Sequence, residues 1–321
     1  EYPNYSPETI DICWLAIMNW IAPKVLDRHF ETPKQIYPFL SKDIRGHFMA
    51  KAAVEMAYYE LRANIQGMPL SKLLGGARSE IATGISLGIQ ESAQVLVERA
   101  AAELAKGYRK IKIKIKPGKD VEFVRSVREA LGPDAPLMAD ANNAYSLDNI
   151  DSLLALDALC LMMIEQPLAW DDVVSHAQLQ KQLQTPICLD ESITGIDRAR
   201  DMIALQSGRI INIKPGRVGG FASSIAIHDF CAANGIPVWC GGMLESGIGR
   251  AHNVALASLP NFTLPGDLSP SARYWEQDIV KPEWQMDANG MVKVPLDKPG
   301  MGVEVDMDRI ENLTVRCEVL E

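Results

Sequence analysis

Short β-rich segments alternate with amphipathic helical segments from Ile81 to Leu264, and this rhythm restricts the fold more than any other feature of the sequence. Strands that are separated by helices favour parallel βαβ units. Seven of the eight predicted strands are followed by an evident helix, so the pattern predicts a TIM-type (β/α)8 barrel whose last helix is weak or replaced, a (β/α)7β arrangement. The predicted strands are Ile81–Ile89, Lys110–Ile115, Leu137–Asp140, Leu161–Glu165, Ile187–Leu189, Ile210–Ile213, Val238–Cys240 and Phe262–Leu264.

A doubly wound sheet is the alternative with the same alternation, and it is disfavoured because no Gly-x-Gly-x-x-Gly follows the first strand. Before the barrel, a strong helical pattern runs over Lys42–Gln66 and ends at Gly67. After the barrel, a tail ends in a strand-like run, Leu313–Leu320, and we expect the tail to pack back on the N-terminal region. We therefore divide the chain into residues 1–76, the barrel 77–274 and the tail 275–321.

Charge and composition exclude several classes of protein. The net charge of -9 argues against nucleic-acid binding, which needs basic patches. No apolar run approaches the roughly 20 residues of a membrane span. The six cysteines form no C-x-x-C pair, which is typical of reduced core residues rather than of a metal site. No signal-peptide pattern is visible, so we expect a cytoplasmic protein that acts on a small molecule.

The stretch Lys110–Lys116 alternates Lys with Ile and predicts a strand with one face made of lysine. An exposed edge strand protected by lysine would show the same pattern. In a closed barrel, alternate residues instead point inward, and those near the strand's end reach the active site. The rest of the barrel decides between these two interpretations.

Three acidic residues end the third, fourth and fifth predicted strands: Asp140, Glu165 and Asp190, each 25 residues after the one before. Equal spacing places the carboxylates at the same end of adjacent strands, and the C-terminal end is where barrel enzymes keep their sites. Helix N-capping would explain any one of them. Three hard carboxylates without a neighbouring His or Cys predict a Mg²⁺ site, in which Mn²⁺ or another divalent cation can substitute.

Two lysines have the same register as these carboxylates. Lys214 ends the sixth strand, and Lys114 lies near the end of the second, with Lys112 two residues deeper on the same face. We expect Lys114 and Lys214 on opposite sides of the barrel mouth. An apolar wall and a neighbouring cation lower the pKa of a lysine toward the range of a useful base. A carboxylate substrate between them would then lose its α-proton, with Mg²⁺ stabilising the enediolate.

This arrangement resembles the enolase superfamily, in its muconate-lactonizing-enzyme-like subgroup, and within it the o-succinylbenzoate synthase / N-acylamino acid racemase family. The resemblance covers nearly the whole chain. The matching motifs are Lys112-x-Lys114, Asp140-Ala141-Asn142, Glu165-Gln166-Pro167, Asp190-Glu191-Ser192, Lys214-Pro215-Gly216, Gly241–Arg250 and Leu264–Asp267.

The resemblance implies a Mg²⁺-dependent β-elimination that dehydrates a succinyl-hydroxycyclohexadiene carboxylate to o-succinylbenzoate in menaquinone synthesis. By family analogy, Lys114 takes the proton and then assists the departure of hydroxide on the same face. Lys214 would stabilise the enediolate as a cation, or act as the opposite-face base in a racemase. The family's substrate-binding positions are matched by Ser86, Asn142, Gly242, Met243, Leu244 and Tyr274.

Other reactions and roles stay open to different degrees. Members of the family catalyse both the synthase and the racemase reaction, so the catalytic residues do not separate the two. Dipeptide epimerases carry Asp-x-Asp at the eighth strand, where this chain has Asp267-Leu268-Ser269. Mandelate-racemase-like members use a His/Asp pair, and no His lies in the seventh strand. A non-catalytic barrel that only binds ligands is the alternative from a different class.

The resemblance also predicts features outside the barrel. Relatives begin with an α+β capping domain whose early loops close over the substrate, and this chain starts partway through that domain. We therefore expect residues 1–76 to be a partial cap and the chain to be part of a longer protein, poorly active by itself. We also expect a homo-oligomer.

Overall fold

Helices build the N-terminal part of the computed structural model, which describes residues 5–320. Thr9 caps the first helix by accepting a hydrogen bond from the Ile12 N–H, and Thr32 forms a capping box with Gln35 further on. The bounds are α1 Ile10–Ala16, a π-helix Ile17–Ile21, α2 Ala22–Val25, a 3-10 helix Pro33–Gln35, α3 Ile36–Asp43, α4 Phe48–Ile65 and α5 Leu70–Leu74.

The single helix predicted over Lys42–Gln66 is wrong at its start, because a non-helical segment separates α3 from α4. His47 lies in the left-handed region with φ 50° just before α4. The carboxylate of Glu8 accepts hydrogen bonds from the backbone N–H groups of Phe48 and Met49 at 2.7 and 2.9 Å. A distant acid therefore caps α4 and determines where it begins, which local helix propensity does not reveal.

Seven parallel strands form the central sheet, and spatial neighbours are also neighbours in sequence. Each pair keeps the parallel register that βαβ connections produce, for example Lys114 opposite Asp140 and Asp140 opposite Glu165. The strand bounds, with β1 in a separate pairing, are β1 Glu80–Ala82, β2 Ile85–Leu87, β3 Ile111–Lys114, β4 Leu137–Asp140, β5 Ile164–Glu165, β6 Ile187–Leu189, β7 Ile210–Ile213 and β8 Val238–Cys240.

The structure differs from the prediction at the first and last predicted strands. The run Ile81–Ile89 is divided between β1, which pairs with the tail, and β2, which opens the parallel sheet. The run Phe262–Leu264 forms one isolated bridge, at Phe262, instead of a regular strand, and Pro265 just after it has no N–H to donate. This segment still closes the barrel, since Phe262 bridges to β8 and Gly266 bridges to Thr83 on the other side.

Helices follow the strands around the barrel, as the rhythm predicted. The position after the eighth segment holds only a 3-10 turn, Ser271–Arg273, which agrees with a replaced last helix. Across residues 5–320, no helix combines the length and apolar character needed to cross a membrane. The helices are α6 Ala93–Ala105, α7 Asp120–Leu131, α8 Ile150–Asp157 after a 3-10 turn Leu147–Asn149, α9 Val173–Gln180, α10 Ile196–Leu205, α11 Pro215–Val218, α12 Phe221–Ala233 and α13 Gly247–Ala257.

The tail contacts both the barrel and the N-terminal helices. Its elements are β9 Val280–Lys281, β10 Met291–Lys293, β11 Glu304–Val305 and α14 Met307–Leu313. β10 pairs antiparallel with β1, and the Gly300 carbonyl accepts a hydrogen bond from the Leu70 N–H at 2.7 Å. The strand predicted over Leu313–Leu320 is wrong: residues 314–320 are exposed and irregular, since apolar alternation alone supplies no neighbouring strand. The domain boundaries given above stay a prediction.

Candidate active site

The barrel interior is built in layers by the alternation of side chains along each strand. Five inward-facing residues form a buried apolar cluster at the base: Met138, Met163, Cys188, Ile210 and Trp239. The residues two positions further along the chain face the same way. Four have polar side chains and the fifth is glycine: Asp140, Glu165, Asp190, Asn212 and Gly241. The carboxylates that the sequence singled out therefore lie in one layer on top of an apolar floor.

The lysine face of β3 points into this interior. β3 is paired on both sides, by β2 and β4, so the edge-strand interpretation is wrong. The exposed fraction of the side chain is 0% for Lys110, 4% for Lys112 and 30% for Lys114. Lys116 follows the strand and is exposed. Lys114 is therefore the inward-facing lysine of β3 that reaches furthest toward solvent.

Lys112 is the centre of a buried ion network. Its ammonium lies 2.5 Å from Asp267, 3.1 Å from Glu165 and 3.3 Å from Asp140. Burial lowers the pKa of Lys112, but these carboxylates outweigh burial and hold that pKa well above its ordinary value. Lys112 is therefore a fixed positive charge.

Lys110 lies below Lys112 in the barrel. Its ammonium lies 3.1 Å from Asp267 and 3.4 Å from the centre of the Trp239 ring. Asp267 thus pairs with both lysines. The sequence had placed Asp267 in a family motif but given it no role.

Lys114 is held by two groups near the end of β4. Its ammonium lies 2.6 Å from Asp140 and donates to the side-chain oxygen of Asn142. Burial raises the pKa of Asp140, but Lys114 and Lys112 outweigh burial and keep that pKa below its ordinary value. The other end of the Asn142 amide donates to Glu191 at 2.9 Å, which orients the amide oxygen toward Lys114.

Lys214 approaches from the opposite side of the barrel, because β7 is four positions from β3 in an eight-position ring. Its ammonium lies 2.8 Å from Asp190 and 2.6 Å from the Tyr5 hydroxyl. Arg217 contacts Asp190 and Tyr5 as well. The lowered lysine pKa expected from the sequence is wrong for Lys214: burial lowers the pKa, but the Asp190 carboxylate outweighs burial and raises it.

Gly241 makes room for Lys214. A methyl group at Gly241 would lie 2.3 Å from Asn212 Oδ1 and 2.5 Å from Lys214 Cε. Such distances are far inside van der Waals contact, so only glycine fits beside the lysine. The Asn212 amide in turn donates to Glu165 at 2.7 Å.

The predicted metal ligands are buried together, and lysines lie among them. Across the described part of the chain, no three side chains of His, Cys, Asp or Glu are grouped as a metal cage. Burial, and then repulsion from Asp140, raise the pKa of Glu165 to about 8, which indicates a layer that would favour further positive charge. Three hard carboxylates on neighbouring strands are the donor set that Mg²⁺ takes, so the residues fit a Mg²⁺ ion chemically.

Gln166 and Glu191 support this layer and were not assigned from the sequence. The side-chain oxygen of Gln166 accepts hydrogen bonds from the N–H groups of Asp190 at 3.0 Å and Ser192 at 3.2 Å. Burial, followed by repulsion from Asp190, raises the pKa of Glu191 to about 7. Gln166 follows Glu165 and Glu191 follows Asp190, and this adjacency is the feature of the sequence that could have identified them.

A cavity of about 600 Å³ opens above the charged layer. Lys112, Lys114 and Lys214 line its polar base. All six predicted substrate-binding residues line it too: Ser86, Asn142, Gly242, Met243, Leu244 and Tyr274. The sequence missed Tyr5, Glu8 and Met49, which the N-terminal part contributes to the same wall. Cations on two sides of a partly apolar cavity suit a carboxylate substrate whose α-carbon lies between two lysines.

Comparisons with known proteins show the family to which this chain belongs. Residues 95–309 match the model of the enolase C-terminal domain-like family, and residues 6–75 match the mandelate racemase / muconate lactonizing enzyme N-terminal domain. The o-succinylbenzoate synthase of Geobacillus stearothermophilus is 51% identical over 99% of this chain and 84% of its own length. The N-succinylamino acid racemase of Thermus thermophilus is 47% identical over 98% of this chain and 84% of its own.

A solved enolase-superfamily structure from Listeria innocua has the same fold. It superposes with a TM-score of 0.93 at 41% identity, covering 97% of this chain and 82% of that one. The two family models cover the barrel and the N-terminal region, and the relatives match nearly the whole of this chain. The chain therefore belongs to the enolase superfamily and, within it, to the family of o-succinylbenzoate synthases and N-succinylamino acid racemases.

Proposed function

We propose that this chain is an o-succinylbenzoate synthase, a carbon–oxygen lyase that dehydrates 2-succinyl-6-hydroxy-2,4-cyclohexadiene-1-carboxylate in menaquinone synthesis. The observation that carries the proposal is that Lys114 and Lys214 reach one cavity from opposite sides, above three buried carboxylates. Full-length relatives named as this synthase, 41 to 51% identical, support the choice of reaction. Such an enzyme acts on a small-molecule carboxylate.

The residues of the site divide the work of the elimination. Lys114, as the neutral amine, takes the α-proton of the substrate, and the ammonium it becomes gives a proton to the departing hydroxide on the same face, so water leaves. Lys214, whose pKa is raised, stays an ammonium and stabilises the negative charge that develops on the substrate carboxylate. Lys112 adds a second fixed positive charge at the base of the cavity.

Enolase-superfamily proteins use Mg²⁺, and in this chain Asp140, Glu165 and Asp190 would hold it. The ion supplies positive charge next to the substrate carboxylate. Tyr5 and Asn142 orient the two catalytic lysines through the hydrogen bonds described above. Apolar side chains such as Met49 and Met243 limit water in the cavity.

Racemisation of N-succinylamino acids is the second candidate function, as the main reaction or beside the first. The specific observation in its favour is the pair of lysines on opposite sides, since inversion at carbon needs one base on each face. Dipeptide epimerisation is disfavoured because Asp267 is engaged by Lys110 and Lys112 and the next inward position is Ser269. A barrel that only binds ligands is the remote alternative.

Assays of the purified, Mg²⁺-loaded protein at its natural length, against the cyclohexadiene carboxylate and against N-succinylamino acids, test these proposals. Dehydration that needs Lys114 supports the synthase. Interconversion of enantiomers that needs both lysines supports the racemase. A metal-loaded protein that turns over neither substrate would contradict both proposed reactions and favour a barrel that only binds ligands. The cytoplasmic location and the homo-oligomer stay predictions.

A further inference from the structure

Lys214 begins a tight loop, formed by the short helix α11 and a turn at Gly219 and Gly220, which leads into α12. The N–H groups of Arg217 and Val218 donate to the Lys214 carbonyl at 3.0 and 3.2 Å. At the other end, the Gly220 N–H donates to the Pro215 carbonyl at 2.8 Å. These bonds tie the two ends of the loop together, so whatever fixes the start of α12 also fixes the backbone that carries Lys214.

The start of α12 is capped from another part of the chain. The N-cap residue is Gly220, which has no side chain to accept hydrogen bonds from the first free N–H groups of the helix. Glu55, in the middle of α4, supplies the acceptors instead. Its two carboxyl oxygens accept from the N–H groups of Phe221 and Ala222, both at 2.8 Å, and its side chain is fully buried.

The loop approaches α3 and α4 too closely for side chains at Gly219 and Gly220. A methyl group at Gly220 would lie 2.3 Å from Glu55 Oε2, and one at Gly219 would lie 2.1 Å from the Tyr37 ring. Both glycines have φ values, +117° and +93°, that L side chains rarely adopt. Tyr59, one turn after Glu55, packs edge-on against Phe221 at 5.4 Å between ring centres.

Resting on the proposed function, we propose that Glu55 is a positioning residue for Lys214. The path runs from the Glu55 carboxyl group to the first amides of α12, through the Gly220–Pro215 hydrogen bond, and so to the backbone next to Lys214. The N-terminal region thus sets the place of one catalytic lysine, although Glu55 touches neither the cavity nor the lysine itself. Lys114 is held differently, by Asp140 and Asn142 across the barrel.

Two variants test the path. Glu55→Ala removes both acceptors, and Glu55→Gln keeps one, so the pair stays informative if the first variant folds poorly. We expect backbone amides of residues 214–222 to exchange with deuterium at least about tenfold faster, measured by mass spectrometry, while β3 amides keep wild-type rates. We expect kcat for the dehydration to fall at least about tenfold in Glu55→Ala, and less in Glu55→Gln, with KM changed about twofold at most.

Glu60→Gln is the matched control. Glu60 also lies on α4 and accepts a backbone N–H bond, but from Met301 in the tail, at 3.0 Å. This variant should leave both the exchange of residues 214–222 and kcat unchanged. Wild-type exchange and kcat in both Glu55 variants, or faster exchange spread equally over the barrel, would overturn the inference. An inactive wild type would instead contradict the proposed function, and the exchange pattern would still decide the role of Glu55.

Discussion

The ammonium of Lys112 lies 2.5 Å from one carboxylate oxygen of Asp267, whose other oxygen lies 3.1 Å from the ammonium of Lys110. One carboxylate from the segment that closes the barrel thus pairs with two buried lysines, Lys112 in β3 and Lys110 just before it. This contact holds Lys112 down in the charged layer, whereas Lys114, with 30% of its side chain exposed, opens onto the cavity.

Asp267→Asn should destabilise the protein strongly. It removes a negative charge that pairs with two buried lysines, and breaking a buried ion pair costs about 3–5 kcal/mol. Urea denaturation measures the loss in the free energy of unfolding. Asp297→Asn, an Asp in the tail with an exposed side chain, serves as the control and should stay within about 0.5 kcal/mol of wild type. A similar small change in Asp267→Asn would show that the network carries little stability.

Lys114→Ala should reduce turnover by about 10²- to 10⁴-fold, the usual contribution of a general base. The side chain is partly exposed, so the thermal midpoint should change little. Lys116→Ala, two residues on and exposed, is the matched control and should retain wild-type kcat. Steady-state kinetics of both variants decide the point, and equal losses in the two would remove Lys114 from its role.

Gly241→Ala should lower kcat by at least about tenfold, since the new methyl group displaces Lys214 or Asn212. Gly195→Ala adds the same group where nothing lies within 4 Å, so it should behave as wild type. A crystal structure of Gly241→Ala would show whether the Lys214 side chain has moved. Unchanged kinetics and an unmoved lysine would contradict the close packing described here.

Stability should fall as pH rises through the range in which Glu55 ionises. Burial raises the pKa of Glu55 from 4.5 to about 8, against two backbone hydrogen bonds that lower it. The facing titratable groups, Tyr37 and Tyr59, have raised pKa values and stay neutral. When folding raises the pKa of an acid, its contribution to stability is fully present at a pH below the unfolded-state pKa. That contribution is lost as the pH rises from the unfolded-state pKa to the folded-state pKa.

The free energy of unfolding of the wild type, relative to Glu55→Gln, should therefore decrease between about pH 4.5 and pH 8. At about 1.4 kcal/mol per pKa unit the change is a few kcal/mol. Urea titrations of both proteins at pH 5, 6.5 and 8.5 measure it. A difference that is constant with pH, or that grows in favour of the wild type, would contradict a raised pKa for Glu55.

The charged layer of the candidate site could be predicted from the sequence because its members end successive strands. Asp140, Glu165 and Lys214 each follow a short β-branched or apolar run, and parallel strands bring such ends to one face. Tyr5 and Glu55 could not be found in this way. Each acts across the boundary between the N-terminal helices and the barrel, and Tyr5 meets Lys214 over a separation of 209 residues.

The ends of the barrel were harder to predict for another reason. Phe262–Leu264 has the local pattern of a strand, yet it forms only one isolated bridge, because Pro265 follows it and has no N–H to donate. The expectation of a lowered pKa for Lys214 was wrong because the fold places the Asp190 carboxylate next to its ammonium. Local pattern gives burial, whereas the sign of a pKa shift depends on which charge lies opposite.

Formation of o-succinylbenzoate from the cyclohexadiene carboxylate, with and without Mg²⁺, tests the central claim most directly. The wild type at its natural length should turn the substrate over with Mg²⁺, lose activity on chelation and regain it when Mg²⁺ is restored, while Lys114→Ala stays inactive throughout. No turnover by the Mg²⁺-loaded wild type, or undiminished turnover by Lys114→Ala, would contradict the account.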